Sequence, residues 1–196
     1  MMLEQIVATR EQPQVKESID AATIAACQRG DRSALRVLFE EYNDRVYSIA
    51  MYSLGGDKTA AADATQQVFL KLMTRINQFR GDSEFATWLY RLVVNTCRDE
   101  QRKQRRFVPL AESFLANMKS DRSPRATYAR KEVSERVQVA IGELKPKLRW
   151  PILLKYVEGM SYEEVAEALS CSVSAVKSLI HRATVTLRDR MRDVWE

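Results

Sequence analysis

Apolar residues recur three or four positions apart along most of the chain, and the alternation typical of β-strands is nearly absent. Between positions 33 and 54 the repeating apolar residues are Leu35, Leu38, Phe39, Tyr42, Val46 and Ile49. Between positions 63 and 79 they are Val68, Phe69, Leu72, Ile76 and Phe79. This spacing predicts amphipathic helices that each bury one stripe. We therefore expect an all-α fold.

Turn residues and prolines divide the chain into segments. Gly30-Asp31 and Gly55-Gly56-Asp57 predict turns between the first helices. Helical periodicity fails after position 106 and resumes at about Lys131, with breaks expected at Pro146, Pro151 and "EGMS". We expect four parts, which are a disordered N-terminal extension (1–19), a helical domain (20–106), a flexible linker (107–130) and a second helical domain (131–196).

Composition is ordinary for a globular protein and leaves the class of function open. The 196 residues are 45% hydrophobic and 29% charged, with a formal net charge of +5. This excess is modest, so the position of the positive charge matters more than its total. No apolar run has the length of a membrane helix and the N-terminus does not resemble a signal peptide, so we expect a cytoplasmic protein.

The three cysteines do not predict a disulfide framework or a zinc site. Cys27, Cys97 and Cys171 are odd in number and far apart, and none belongs to a C-x-x-C pair. The simplest interpretation is three small buried apolar residues in a reducing compartment.

The stretch "FRGDSEFATWLYRLVVNTCRDEQRKQRR", from Phe79 to Arg106, combines aromatic residues with a basic helix. Asp82 or Ser83 is expected to cap this helix. Its predicted buried stripe is Phe85, Trp88, Leu89, Leu92, Val93 and Cys97. A second line along the helix is polar and cationic, and consists of Arg91, Asn95, Arg98, Arg102 and Arg105.

These two features suit binding to opened DNA. A side-chain amide such as that of Asn95 can read the edge of a base. Aromatic rings beside a basic track can stack on unpaired bases, and the candidates are Phe79, Phe85, Trp88 and Tyr90. The alternatives are a solvated helix face for the basic line and core packing for Trp88.

The stretch "SYEEVAEALSCSVSAVKSLIHRATVTLR" has the layout of a helix-turn-helix. Ser161 and Glu164 form a capping box, the turn covers 170–172, and Ser172 can cap the second helix. The inward residues are Val165, Ala166 and Leu169, followed by Val173, Val176, Ile180, Ala183 and Leu187. The opposite face carries Ser174, Lys177, Ser178, His181 and Arg182, which suit insertion into a major groove. The alternative is an amphipathic helix pair that binds nothing.

Both stretches resemble the extracytoplasmic-function sigma factors, the smallest class of bacterial RNA polymerase specificity subunits, and among them the envelope-stress sigma-E type. "FRGDSEFATWLYR" with the following "VNT" is similar to the segment that melts and reads the promoter −10 element. "EGMSYEEVAEALSCSVSAVKSLIHRA" is similar to the −35-reading segment of the fourth sigma region. The resemblance covers roughly 20–106 and 131–192.

The resemblance implies three binding surfaces. The −10 surface would comprise the base-capturing loop Phe79, Arg80, Gly81, Asp82 and Ser83, with Trp88, Arg91, Asn95 and Arg98 beside it. The −35 surface would comprise Ser174, Lys177, Ser178, His181 and Arg182. The core-polymerase surface would comprise Asp63, Gln66, Gln67 and Phe69, docking on the clamp helices of the largest subunit.

The implied partners are core RNA polymerase, including the flap of its second-largest subunit, promoter DNA that is duplex at −35 and single-stranded at −10, and an anti-sigma factor. No cofactor, metal or enzymatic activity is expected, because no catalytic constellation stands out. The chain departs from the family's usual pattern at Ala62 and Gln67, where acids are common, at Leu179, where arginine is common, and in its non-acidic linker. The rival interpretations are a free-standing helix-turn-helix regulator and a helical enzyme that modifies nucleic acid.

Overall fold

The structure, a computed structural model, describes residues 19–107 and 139–191, with side chains described as far as Lys103 in the first range. The predicted N-terminal extension before Ile19 and the predicted linker after Phe107 lie outside the described residues. Within these two ranges all regular structure is helical, which confirms the all-α prediction. The first range contains α1 (Ala21–Gln28), α2 (Arg32–Ser53), α3 (Lys58–Arg75), a 3₁₀ turn (Ile76–Gln78) and α4 (Phe85–Phe107).

The second range begins with helical residues 139–143, whose start falls outside the described part of the chain. It continues with α5 (Pro146–Ile152), a π-helical turn (Leu153–Val157), α6 (Tyr162–Leu169) and α7 (Val173–Arg190).

Aspartates begin the first three helices. Asp20 accepts from the backbone N–H of Thr23 at 2.7 Å, and Asp31 accepts from that of Ser33 at 2.8 Å. Asp57 does the same for Ala60 at 3.0 Å. Each carboxylate satisfies a backbone donor that has no partner inside the helix. The turns predicted at Gly30-Asp31 and Gly55-Gly56-Asp57 are therefore confirmed.

The core of the first domain lies between α2, α3 and α4. The predicted stripes of α2 and α3 are buried in large part, with Leu38, Val46 and Val68 fully inaccessible to solvent. Phe39 was predicted to be buried, and this was wrong, since it is 47% exposed. Its ring lies against Phe69 at the rim of the α2–α3 pair, with 4.8 Å between the ring centroids.

The second domain packs α5, α6 and α7 around Trp150, Leu153, Leu154 and Met160. Pro146 begins α5, a position where its missing N–H costs nothing. The predicted break at Pro151 was wrong, since this proline lies inside α5. It is the next-to-last residue of α5, which ends at Ile152 and is followed directly by the π-helical turn.

The two domains are in contact. α4 packs against α6, and α2 also meets α5. As a result α4 is covered on two sides, because the first domain buries Leu89 and Val93 while the second lies over its other flank. Across the described ranges, no helix has both the length and the apolar character needed to cross a membrane.

Candidate nucleic-acid interface

The loop from Phe79 to Glu84 leads into α4. The Gln28 side chain fixes its start by donating to the carbonyl oxygens of Ile76 (3.1 Å) and Phe79 (2.9 Å). Gly81 has φ +80°, a conformation that other residues adopt only with strain. The cap predicted at Asp82 or Ser83 was wrong by one or two residues, because α4 begins at Phe85 and the Glu84 carbonyl accepts its first hydrogen bond.

Three aromatic rings meet at the N-terminal end of α4. The centroids of Phe79 and Phe85 lie 5.4 Å apart, and Trp88 lies 5.7 Å from Phe79 and 5.8 Å from Phe85. Phe79 and Trp88 are half-buried, whereas Phe85 is buried. Tyr90 does not join this group and is completely inaccessible to solvent. The interpretation of four aromatics available to DNA was therefore wrong for Phe85 and Tyr90, and only Phe79 and Trp88 keep an open side.

The predicted cationic line is present on α4, but part of it is covered. Asn95 and Arg102 are exposed, while Arg91 and Arg98 are half-buried. Nη2 of Arg91 donates to the carbonyl and to the carboxylate of Glu167 on α6, both at 3.1 Å. Burial, and secondly the nearby Arg102, lowers the pKa of Arg98. The side chain of Arg105 lies outside the described part of the helix.

The helix-turn-helix forms as its local sequence signals predict. The backbone N–H of Glu164 donates to Ser161 Oγ at 3.1 Å, and Glu164 Oε2 accepts from the N–H of Ser161 at 2.6 Å. The Ser172 hydroxyl accepts from the N–H of Ala175 at 3.2 Å and so caps α7. Ser170 ends α6 in the left-handed conformation, with φ 54°.

α7 presents one polar face and one apolar face. All five residues predicted for the −35 surface are exposed, namely Ser174, Lys177, Ser178, His181 and Arg182. Val176, Ile180, Ala183 and Leu187 are buried on the other face, as predicted, whereas Val173 is only half-buried. Leu179 is only 7% exposed and belongs to the packed side, so this position contributes packing rather than a place for a DNA-facing side chain. The Lys177 ammonium lies 5.6 Å from the centroid of the Tyr162 ring on α6.

The candidate core-polymerase surface lies on α3. Asp63, Gln66 and Gln67 are exposed as that role requires, and Phe69 is mostly covered at 8% exposure. The sequence argument missed two exposed apolar residues of α3, Leu70 and Met73, which are 48% and 56% exposed. They lie four and seven positions after Gln66, so the helical spacing places them on the same side of α3.

The cysteines are not all alike. Cys27 and Cys97 are buried as expected, and burial raises the pKa of the Cys97 thiol to about 11. Cys171 is exposed in the turn between α6 and α7, so its predicted burial was wrong.

Comparison with known proteins identifies relatives of both domains. The family model for "Sigma-70 region 2" matches residues 38–107, and that for "Sigma-70, region 4" matches residues 134–187. The chain is 32% identical over 183 residues to the ECF RNA polymerase sigma-E factor of Escherichia coli strain K12, covering 88% of this chain and 94% of the relative. It is also 32% identical over 173 residues to the RNA polymerase sigma-H factor of Pseudomonas aeruginosa, covering 84% and 89%.

Solved structures show the same arrangement of helices. CnrH, determined in complex with the cytosolic domain of CnrY, matches with a TM-score of 0.66 and 26% identity, covering 89% of this chain and 98% of CnrH. The sigma factor RpoE of Bartonella quintana, determined with the anti-sigma factor NepR, matches with a TM-score of 0.65 and 21% identity, covering 80% and 96%. At 21% identity, the match to RpoE shows only that the two proteins share a fold.

Proposed function

The chain belongs to the extracytoplasmic-function group of RNA polymerase sigma factors, and from this membership we propose how its surfaces act at a promoter. The protein binds core RNA polymerase in the cytoplasm and directs it to promoters through their −35 and −10 elements. It contributes recognition and strand opening, while polymerisation belongs to the core subunits. The observation that carries this proposal is the presence of both sigma regions, in order, in one chain.

The exposed face of α7 reads the −35 duplex. A helix of this kind enters the major groove with its N-terminal residues against the base edges. Ser174 and Ser178 are short enough to allow close approach, while Lys177 and Arg182 reach phosphates or base edges. Support comes from the exposure of all five residues of this face.

The loop before α4 and the exposed part of α4 read the −10 element as single-stranded DNA. A base leaving the stack costs a few kcal/mol, and stacking on an aromatic side chain returns about 1–3 kcal/mol. Phe79 and Trp88 offer rings with an open side for this purpose, and Asn95 offers an amide for a base edge. Arg80, Asp82 and Ser83 belong to the same loop.

α3 docks on the clamp helices of the largest polymerase subunit. Its exposed polar residues Asp63, Gln66 and Gln67 flank an apolar strip formed by Leu70 and Met73. A surface with an apolar centre and a polar surround is typical of protein–protein interfaces. The second domain binds the flap of the second-largest subunit.

A protein inhibitor is the remaining partner that we propose. The Bartonella relative was determined with an anti-sigma factor, and CnrH was determined with the cytosolic domain of CnrY. Because this chain has the same fold, we propose that an anti-sigma factor also binds it.

Run-off transcription with purified core polymerase tests the proposal. The template carries the upstream region of a gene induced when this protein is overproduced. We expect a discrete transcript with core plus this protein and none with core alone. A free-standing regulator would instead bind the duplex by itself and leave the output of core polymerase unchanged, and that result would overturn the proposal.

A further inference from the structure

A buried ionic contact joins the two domains. Glu158, in the turn before α6, is only 4% exposed although it carries a carboxylate. Its Oε2 accepts from Nε of Arg45 at 3.0 Å and from Nη2 of Arg45 at 2.8 Å. The same oxygen accepts from the hydroxyl of Tyr90 on α4. Glu158 belongs to the second domain, whereas Arg45 and Tyr90 belong to the first.

The environment of this contact favours its charged, hydrogen-bonded form. The Arg45 guanidinium lies 5.4 Å from the ring centroid of Tyr42 and 5.9 Å from that of Tyr90. Burial, and secondly the Glu158 carboxylate, raises the pKa of Tyr90 well above its usual value, so its hydroxyl remains a donor at neutral pH. If Glu158 moved away, the buried hydroxyl of Tyr90 would lose this acceptor, and a buried donor that loses its acceptor costs free energy.

The contact closes the molecule over part of its own −10 surface. α6 lies along α4, and Glu167 of α6 holds Arg91, a residue of the proposed −10 surface. While Nη2 of Arg91 donates to Glu167, that end of the guanidinium is not available to a DNA phosphate. The closed arrangement therefore competes with single-stranded DNA for the same side chain.

The closed molecule is also too small to reach both promoter elements. The −10 and −35 elements lie about 25 base pairs apart, which is roughly 85 Å of duplex at about 3.4 Å per base pair. A compact chain of this length has a radius of gyration of only about 16 Å. Two domains that touch through α4 and α6 cannot reach both elements at once, so the contact must break before the promoter is engaged.

We propose that Glu158 is a latch that holds the free protein closed through Arg45 and Tyr90, and that opening this latch is a step in forming the active holoenzyme. The closed state is a property of the free chain, whereas its inhibitory effect rests on the proposed function. The two parts are therefore tested separately.

The first test measures closure in the free, full-length chain by energy transfer between two dyes. The dyes are attached to Thr59→Cys on α3 and Arg188→Cys on α7, both at exposed positions, in a Cys171→Ser background. Cys27 and Cys97 are buried and remain unlabelled. Efficient transfer is expected in the otherwise unchanged protein.

Two conservative variants open the latch from opposite sides. Tyr90→Phe removes only the hydroxyl, and Glu158→Gln removes only the charge. Each should raise the open population about ten-fold, as expected for the loss of a hydrogen bond to a charged group. Because both substitutions act on one contact, their effects should not add. The double variant should shift the equilibrium towards the open form by less than the sum of the two single shifts in free energy. Unchanged transfer in both variants would overturn the latch.

A third variant tests the outer contact, with a matched control. Glu167→Lys places a cation beside Arg91 and should lower energy transfer, whereas Glu163→Lys makes the same charge change on the same helix at another exposed position. Equal effects from the two would show that net charge, not the Arg91 contact, controls closure, and would overturn the role given to Glu167. Circular dichroism confirms that each variant is folded.

The second test measures inhibition with core polymerase at limiting protein concentration. Since only the open form is competent, its apparent affinity scales with the open fraction. Tyr90→Phe should therefore bind core polymerase several-fold more tightly and give more run-off transcript. If closure is lost in the free chain but core binding and transcription do not rise, the latch does not inhibit and the inference fails. A complete lack of transcription with every version would instead contradict the proposed function.

Discussion

Asn95 stands exposed in the middle of a line of arginines on α4, and it is the residue of that line best suited to distinguish bases. Arginine at the neighbouring positions can satisfy any phosphate, whereas an amide donates and accepts at fixed positions and so selects a base. The sequence identifies this residue because helical spacing alone places it between Arg91 and Arg98.

Replacing Asn95 with alanine should reduce −10 discrimination by about 5- to 150-fold, since one good base contact is worth about 1–3 kcal/mol. Binding to core polymerase should not change, because Asn95 lies on α4 and the proposed docking surface lies on α3. The measurement is open-complex formation on matched and mutated −10 elements. Asn43→Ala is the control, because the Asn43 amide donates to Asp44 on α2. Equal discrimination by the Asn95 variant and the unchanged protein would contradict this role.

α7 is the element whose structure follows most directly from local sequence. Its cap, its buried residues and its exposed face all depend on residues within one or two turns of each other, and most were predicted correctly. The exceptions are Leu179, which is buried, and Val173, which is only half-buried. The position of α4 between two domains was not predicted, because Tyr90 and Glu158 are 68 residues apart and neither has a local signal for the contact. Pro151 was misread because a proline is tolerated next to the end of a helix, and the sequence does not show that α5 ends at Ile152.

The Lys177→Ala variant tests the register of α7 in the groove. If Lys177 binds a phosphate, its loss should weaken −35 binding on every sequence and reduce the log–log salt slope by about one unit. Lys147→Ala, an exposed lysine on α5 in the same domain, is the matched control and should leave the slope unchanged. Holoenzyme binding titrated against salt gives both values. An unchanged slope for Lys177→Ala would mean that another face of α7 meets the DNA.

The capping box of α6 offers a test of stability at the same scale. Ser161→Ala removes the acceptor of the Glu164 N–H and should lower the free energy of unfolding by about 1 kcal/mol. Ser178→Ala, at an exposed position in the interior of α7, should change it by far less. Urea unfolding followed by circular dichroism compares the two, and equal midpoints would show that the box does not stabilise the domain.

At the scale of the whole molecule, Arg149 connects the two domains through main-chain acceptors. It is 6% exposed and donates to the carbonyls of Ser53 and Tyr52 at the end of α2. It also donates to the carbonyls of Gly142 and Leu144 in its own domain. A planar guanidinium can serve several acceptors at once, whereas an ammonium on a lysine stem cannot match this geometry.

Arg149→Lys should therefore destabilise the protein by about 2–4 kcal/mol, because the buried carbonyls of Gly142 and Leu144 lose this donor. The Ser53 carbonyl, in contrast, keeps a donor in Gln101. The urea midpoint measures the loss. Arg36→Lys makes the same exchange in a solvent-exposed pair with Glu40 and should leave the midpoint unchanged. If both variants unfold at the same urea concentration, Arg149 does not bear on stability.

The contacts of Arg149 also determine whether this part of the domain interface can be detected by covariation among related sequences. Its acceptors are carbonyl groups, which every amino acid possesses, so substitutions at 52, 53, 142 or 144 need no compensating change at 149. Covariation between columns of an alignment should therefore not detect the contacts of Arg149. It can detect the contact among positions 45, 90 and 158, because that contact depends on the side chains at all three positions.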